Sequence, residues 1–266
     1  MKDTELTGTS PKQGEFVEVE ACCGSVSSLD QIKLLYTELA RRPDKSFGWD
    51  KGSENARRLG YELAWLERLP AAVWESAAAV GNPFSLGPMH PGESVIDVGC
   101  GAGADLCIAS LLVGNDGHVI GVDATPSMVE KARENAKLAG LANIEVYEGN
   151  LARLPLPAAC ADVVISNGAI NLVSDKATAF NEIFRILRRG GRLHFADMVR
   201  VQARKDFCTN DSAESWANCV SGTLSAENIL STLQDAGFTA VELAGHTDYR
   251  TSESTRGALF RAVKPK

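Results

Sequence analysis

No part of this 266-residue sequence is both long and free of charge. It therefore lacks the roughly 20 consecutive apolar residues that a membrane-spanning helix needs. The opening residues, Met1-Lys-Asp-Thr-Glu-Leu-Thr-Gly-Thr-Ser10, are polar, so no secretory signal is expected. Positive charge is scarce: 27 Lys and Arg stand against 34 Asp and Glu, a net charge of -7. That balance argues against a nucleic-acid partner, whose phosphates demand a basic surface. There is no Cys-x-x-Cys and no His-rich spacing, so no metal site is expected. What is present is 44% hydrophobic residues in a chain long enough to bury a large core. The composition fits one catalytic domain with attached pieces and a small-molecule partner; it says nothing of oligomeric state.

Seven cysteines without a signal segment point to reduced thiols in the cytoplasm rather than a disulfide framework. Cys100, Cys107 and Cys160 lie in or beside apolar elements, where a free cysteine behaves as a small buried hydrophobe. Cys22 and Cys23 differ: a vicinal pair in a polar, Gly/Ser-rich segment is exposed enough to react.

The most informative stretch is Val95-Ile-Asp-Val-Gly-Cys-Gly-Ala-Gly103, in which an apolar run ends in three glycines spaced two apart and then becomes a helical pattern. Gly99, Gly101 and Gly103 let the backbone turn tightly and approach a ligand. The next strand, His118-Val-Ile-Gly-Val-Asp123, ends in an acid about 20 residues later, placed to accept two ribose hydroxyls. A dinucleotide fingerprint puts its third glycine three residues after the second, to seat a pyrophosphate on a helix N-terminus. Here the spacing is two. Asp97 would also repel a pyrophosphate but suits an ammonium group.

The pattern elsewhere alternates. It predicts strands at 94–98, 118–122, 144–147, 161–166 and 191–197, and helices at 103–113, 126–139 and 175–187. Thr125 or Ser127 can cap the second of these helices, Pro126 suits its first turn and Gly140 ends it. Such alternation implies an α/β fold with a doubly wound, mainly parallel sheet that binds ligands at the carboxyl ends of its strands. Before it, Leu29–Ala40 and Gly52–Leu69 have helical apolar spacing, with Tyr36, Phe47, Trp49 and Tyr61 distributed among them, and are expected to cover the site. After it come a helix at 225–236 and strands near 239–243 and 257–263. The expected divisions are an arm and helical cap over 1–60, a cofactor-binding domain over 61–200 and an α+β extension on the substrate side over 201–266.

The Asp-x-Gly-x-Gly-x-Gly turn resembles the class I methyltransferases that bind S-adenosylmethionine. So do Gly149-Asn150-Leu151, Ala161-Asp-Val-Val-Ile-Ser-Asn167 and Leu187-Arg-Arg-Gly-Gly-Arg-Leu193. The resemblance implies a Rossmann-like fold, S-adenosylmethionine as cofactor and methyl transfer as the activity. It places Met128, Asn150 and Leu151 around the adenine, with Asn150 in place of the more usual acid. Asp97, Gly99, Cys100, Gly101, Gly103 and Asp123 are expected to bind the cofactor too, with Ala124, Thr125, Ser166 and Asn167 completing its surroundings.

Within that class, a closer resemblance is to arsenite methyltransferases. It rests on Leu59-Gly-Tyr61, Gly81-Asn-Pro83, Gly121-Val-Asp-Ala-Thr-Pro126, Ser166-Asn-x-x-Ile-Asn-Leu172 and Trp216-Ala-x-Cys219. Those enzymes hold trivalent arsenic with cysteine thiolates at three positions, which here are Val80, Gly168 and Cys219. Soft arsenic needs soft sulfur, and one thiolate makes a weak site. Cys22 or Cys23 is a candidate replacement ligand, and Asn171 joins Cys219 as a candidate at the acceptor. An arsenic or sulfur lone pair needs only alignment with the methyl group, whereas an oxygen, nitrogen or carbon acceptor needs a base. His194, His90, His246 and Asp197 are the candidates for that base. The best single acceptor is a trivalent arsenical. An organic small molecule, such as a natural product or quinone-like acceptor, stays open, as does a cofactor-binding protein without catalysis.

Overall fold

Val95, Ile96 and Val98 are buried on both sides, which is how a β-branched run behaves when each face of its sheet is covered. They form β1 (Ser94–Val98), an interior strand of a seven-stranded sheet in a computed structural model that describes residues 28–201 and 222–266. The other strands are β2 (His118–Asp123), β3 (Ile144–Glu148), β4 (Ala161–Asn167), β5 (Leu187–Arg200), β6 (Thr239–His246) and β7 (Thr255–Val263). Their order is β3-β2-β1-β4-β5-β7-β6. The first five are parallel to their neighbours. Strand β7 runs antiparallel between β5 and β6.

Helices cover both faces, as the alternation requires. On one face α7 (Lys176–Ile186) and α8 (Ala226–Asp235) bring Phe180, Ile183 and Leu233 against Phe195 and Phe260, whose rings stack 4.9 Å apart. On the other, α5 (Ala104–Val113) and α6 (Pro126–Leu138) bring Leu106, Val129 and Ala132 against Val95, Val119 and Ile165. Pro126 opens α6, Gly140 ends it at φ 71°, and the Ser225 side chain accepts from Asn228 N, but Thr125, at the N-cap position of α6, makes no side-chain capping hydrogen bond.

One expectation changes. The helical spacing over 52–69 becomes two short helices, α2 (Gly52–Arg58) and α3 (Leu63–Arg68), with a third, α4 (Ala71–Glu75), just beyond it. Gly60 turns the chain at φ 81° after α2, and Leu69 adopts the extended backbone (ψ 140°) that a residue before proline prefers. The C-terminal α+β extension lengthens the main sheet, because β7 shares a continuous hydrogen-bonded register with β5 from Arg192–Val263 to Arg200–Thr255. Ahead of these elements α1 (Ser28–Arg41) packs on α6. No helix among the described residues is long and apolar enough to cross a membrane.

Candidate active site

The carboxyl ends of β1, β2 and β4 open into a cleft of about 230 Å³. Its floor is the glycine turn, where Gly99, Gly101 and Gly103 have φ 75°, 51° and 87°. The three do different work. A Cβ on Gly99 would come within 2.1 Å of the Ala169 Cβ, so this glycine is required by packing. Gly103 starts α5 and lies against Ala132. Above Gly101 a Cβ would meet nothing within 4 Å, which leaves bare backbone facing the open cleft.

Asp123 closes this end. Its Oδ2 accepts from Gly101 N at 2.9 Å and its Oδ1 from Thr125 N at 2.8 Å. Each carboxylate oxygen keeps a second lone pair for a ligand hydroxyl. Burial raises the Asp123 pKa, opposed by those two backbone N–H groups and by the nearby Lys33 charge. Deeper in the cleft Asp97 is 2% exposed and its Oδ2 has no partner. Burial, then the charges of Asp105 and Asp123, hold its carboxyl well above the usual range. A buried carboxylate without a partner is costly, and a ligand cation there would remove that cost.

The opposite wall is a polar node. The Asn167 side-chain amide donates within reach of Gly81 O (2.8 Å), Asp105 Oδ2 (2.9 Å) and the Tyr61 hydroxyl oxygen (3.0 Å), while its Oδ1 accepts from Val80 N at 2.9 Å. Tyr61 donates to Asp105 Oδ1 at 2.7 Å. Burial raises the Asp105 pKa to about 6 against the pull of these two partners. The node ties the helical cap, α5 and β4 together and fixes Val80 beside Gly168. From above, Leu29, Ile32, Lys33 and Tyr36 of α1 cover the cleft, and Trp74 and Ser76 to Ala79 line its far side. Trp74 is 3% exposed, and its Nε1 is the second unpartnered polar atom on a residue lining the cleft.

Of the expected cofactor residues, Asp97, Gly99, Cys100, Gly101, Asp123 and Ala124 line the cleft, as do Thr125, Met128, Asn150, Leu151 and Asn167. Two sit behind it. Gly103 shapes the start of α5, and Ser166 is 1% exposed with its hydroxyl donating to Val98 O at 2.8 Å, a tie between β4 and β1. Asn171, expected at the acceptor, is equally buried. Its Nδ2 donates to Asp197 Oδ1 at 2.7 Å and to Met198 O at 2.6 Å, and its N to Asp197 Oδ2 at 3.0 Å. This pair anchors the segment leading into Leu172–Asp175, which does line the cleft.

Asp197 is thereby occupied, and none of the three candidate histidines lines the cleft. His90 and His194 border a separate hollow with Arg192 and Arg261, and His246 borders another beside Ser225. Burial lowers the His194 pKa to about 4. Cys22, Cys23 and Cys219 lie outside the described residues. Sequence reasoning did not foresee Trp74, Asp105, Lys33 or Asp175 in the cleft. Asp105, two residues after Gly103 in the first turn of α5, carried a local signal; the others carried none.

An α/β sheet with a glycine turn after β1 and an acid at the end of β2 is the arrangement of the class I S-adenosylmethionine-dependent methyltransferases. Comparison agrees: residues 89–237 match the family model described as a methyltransferase domain, and the chain belongs to that family. It is 38% identical over 192 residues to the arsenite methyltransferase of Halobacterium salinarum, covering 72% of this chain and 49% of that protein. It is 37% identical over 108 residues to the aklanonic acid methyltransferase of a Streptomyces strain, covering 41% of this chain and 49% of that one. Among solved structures it resembles an arsenic(III) S-adenosylmethionine methyltransferase from Chlamydomonas reinhardtii, with 26% identity, a TM-score of 0.57, and 80% and 73% of the two chains covered. The chain thus spans about half the length of these curated relatives.

Proposed function

We propose that the chain methylates a trivalent arsenical, with S-adenosylmethionine as methyl donor. When bound, the cofactor supplies a methyl group already activated on a sulfonium. Asp123 and the bare backbone at Gly101 are suited to its ribose and Asp97 to its ammonium group, so the residues present fit it. The identity shared with an arsenite methyltransferase over 72% of this chain carries the choice of acceptor.

The electrostatics of the cleft support that choice. Asp97, Asp105, Asp123 and Asp175 line it against Lys33 as the one basic side chain among the described lining residues. Such a lining disfavours an anionic acceptor. Trivalent arsenic hydroxides and thiolates are uncharged near neutral pH, and their lone pair needs no base, in keeping with a cleft that none of the candidate histidines lines and in which Asp197 is taken up by Asn171.

The chain's own part in the reaction is then alignment. The Asn167 node fixes Val80, and the Asn171–Asp197 pair fixes the wall from Leu172 onward, holding the acceptor end to one shape. Incubation with arsenite, a thiol and isotope-labelled S-adenosylmethionine, followed by mass spectrometry, should yield labelled methylarsenicals. A product-free reaction alongside retained cofactor binding would end the arsenical reading. One observation favours a second acceptor: the acceptor end at Val80 and Gly168 is apolar, with no thiol at either position. Absence of arsenic product would therefore direct the search to an uncharged organic molecule.

A further inference from the structure

The cleft has few hydrogen-bond donors to spare. Gly101 N and Thr125 N are given to Asp123, Val80 N to Asn167, the Tyr61 hydroxyl and the Asn167 amide to Asp105 and its neighbours, and the Ser76 hydroxyl to Leu39 O. Lys33 belongs to the Asp123 end. Trp74 differs from all of these. Its indole nitrogen is a donor only, it is buried, and it has no acceptor among the described residues. A buried N–H left unpaired costs stability, so it marks a place where an acceptor belongs. The ring packs nearly perpendicular to that of Tyr61, with centroids 6.1 Å apart and an interplanar angle of 88°.

Two unpartnered buried polar atoms therefore belong to residues lining one cleft: an acceptor on Asp97 and a donor on Trp74. That is the complement of a zwitterion. We propose that the Trp74 indole N–H receives the carboxylate of the cofactor's amino-acid group, while Asp97 takes the ammonium group of the same unit. This rests on the reading of the cleft as an S-adenosylmethionine site and is independent of which acceptor is methylated. Trp74 is a binding and positioning residue: it anchors the amino-acid end so that the sulfonium points toward Val80 and Gly168.

The test uses calorimetry on the full chain, with Trp74→Phe keeping the ring and removing the N–H. Three ligands are compared: S-adenosylmethionine, S-adenosylhomocysteine and decarboxylated S-adenosylmethionine. The variant should lose roughly tenfold or more in affinity for the two carboxylate-bearing ligands, the size expected for a hydrogen bond to a charged group. Its affinity for the decarboxylated ligand should stay within about twofold of wild type. An equal loss for all three, or none, overturns the role.

A second measurement does not depend on the variant's stability. The indole N–H resonance of Trp74 in wild type should move downfield with S-adenosylmethionine and stay in place with the decarboxylated ligand. An unmoved resonance overturns the proposal. Wild type that binds none of the three overturns the cofactor assignment and this role together, whereas failure to methylate arsenic leaves both standing.

Discussion

Gly168 and Val80 face each other at the acceptor end of the cleft: a Cβ built on Gly168 lies 3.4 Å from the Val80 Cγ1, and Gly168 holds φ 68°. These are the two positions where the family resemblance places arsenic-binding cysteines, and in this chain they lie beside one another without a thiol at either. The double change Val80→Cys with Gly168→Cys should restore two soft ligands side by side and tighten arsenite binding at least tenfold, measured by tryptophan fluorescence titration. A side chain in the left-handed region at 168 should cost about 1–2 kcal/mol, visible as a lower melting temperature. Unchanged arsenite affinity in a folded variant would detach this end of the cleft from arsenic.

Asp123 holds the turn and, in the proposed reading, the ribose of the cofactor. Asp123→Ala removes the acceptor for Gly101 N and Thr125 N and, on that reading, the partner for the ribose hydroxyls. S-adenosylmethionine affinity should fall by roughly 2–4 kcal/mol. Calorimetry giving wild-type affinity would remove Asp123 from the site.

The glycines of the turn should separate by phenotype. In Gly101→Ala the new methyl enters open cleft, so the fold should persist while cofactor binding weakens severely. In Gly99→Ala the methyl meets Ala169 Cβ at 2.1 Å, so the melting temperature should drop first. Paired thermal melts and calorimetry distinguish the two, and the opposite ordering would contradict the cradle.

Asp197 sets a pH dependence of stability. Burial raises its folded-state pKa to about 6 from 3.8. Below the unfolded value both states hold the proton and the group contributes nothing. As pH rises from about 3.8 to about 6, the unfolded state gives the proton up while the folded state keeps it, so stability is lost over that window, by roughly 3 kcal/mol once the pH is above about 6. Asp197→Asn removes the titration, although its amide turns an N–H toward the donors of Asn171 and Met198. The difference between wild-type and variant unfolding free energies, measured by denaturant titration from pH 4 to pH 7.5, should change by about that amount. A flat difference curve would show that Asp197 does not titrate in this range.

The parts of the fold that were legible in the sequence depend on neighbours along the chain. The glycine turn, the acid ending β2, Pro126 and Gly140 around α6 and Ser225 before α8 are local signals, and each lies where its spacing implied. What escaped depends on distant partners. Tyr61 reaches Asp105 across 44 residues and Asn167 across 106. Nothing beside Ser166 or Asn171 shows that one braces β1 and the other clamps Asp197. The antiparallel place of β7 was equally hidden, because an apolar run specifies a strand but not its neighbour. Trp74 carried no local signal; only its burial without an acceptor among the described residues sets it apart.

The position of β7 also bears on how the protein is made. Strands β1 to β4, which carry the cofactor end of the cleft, emerge from the ribosome well before residue 255. Strand β5 then has one edge paired with β4 and the other bare until β7 arrives, and β6 has no partner at all until that moment. During that interval the nascent chain exposes a long apolar strand edge, open to pairing with other chains. Synthesis is thus the period in which this protein is most exposed to aggregation.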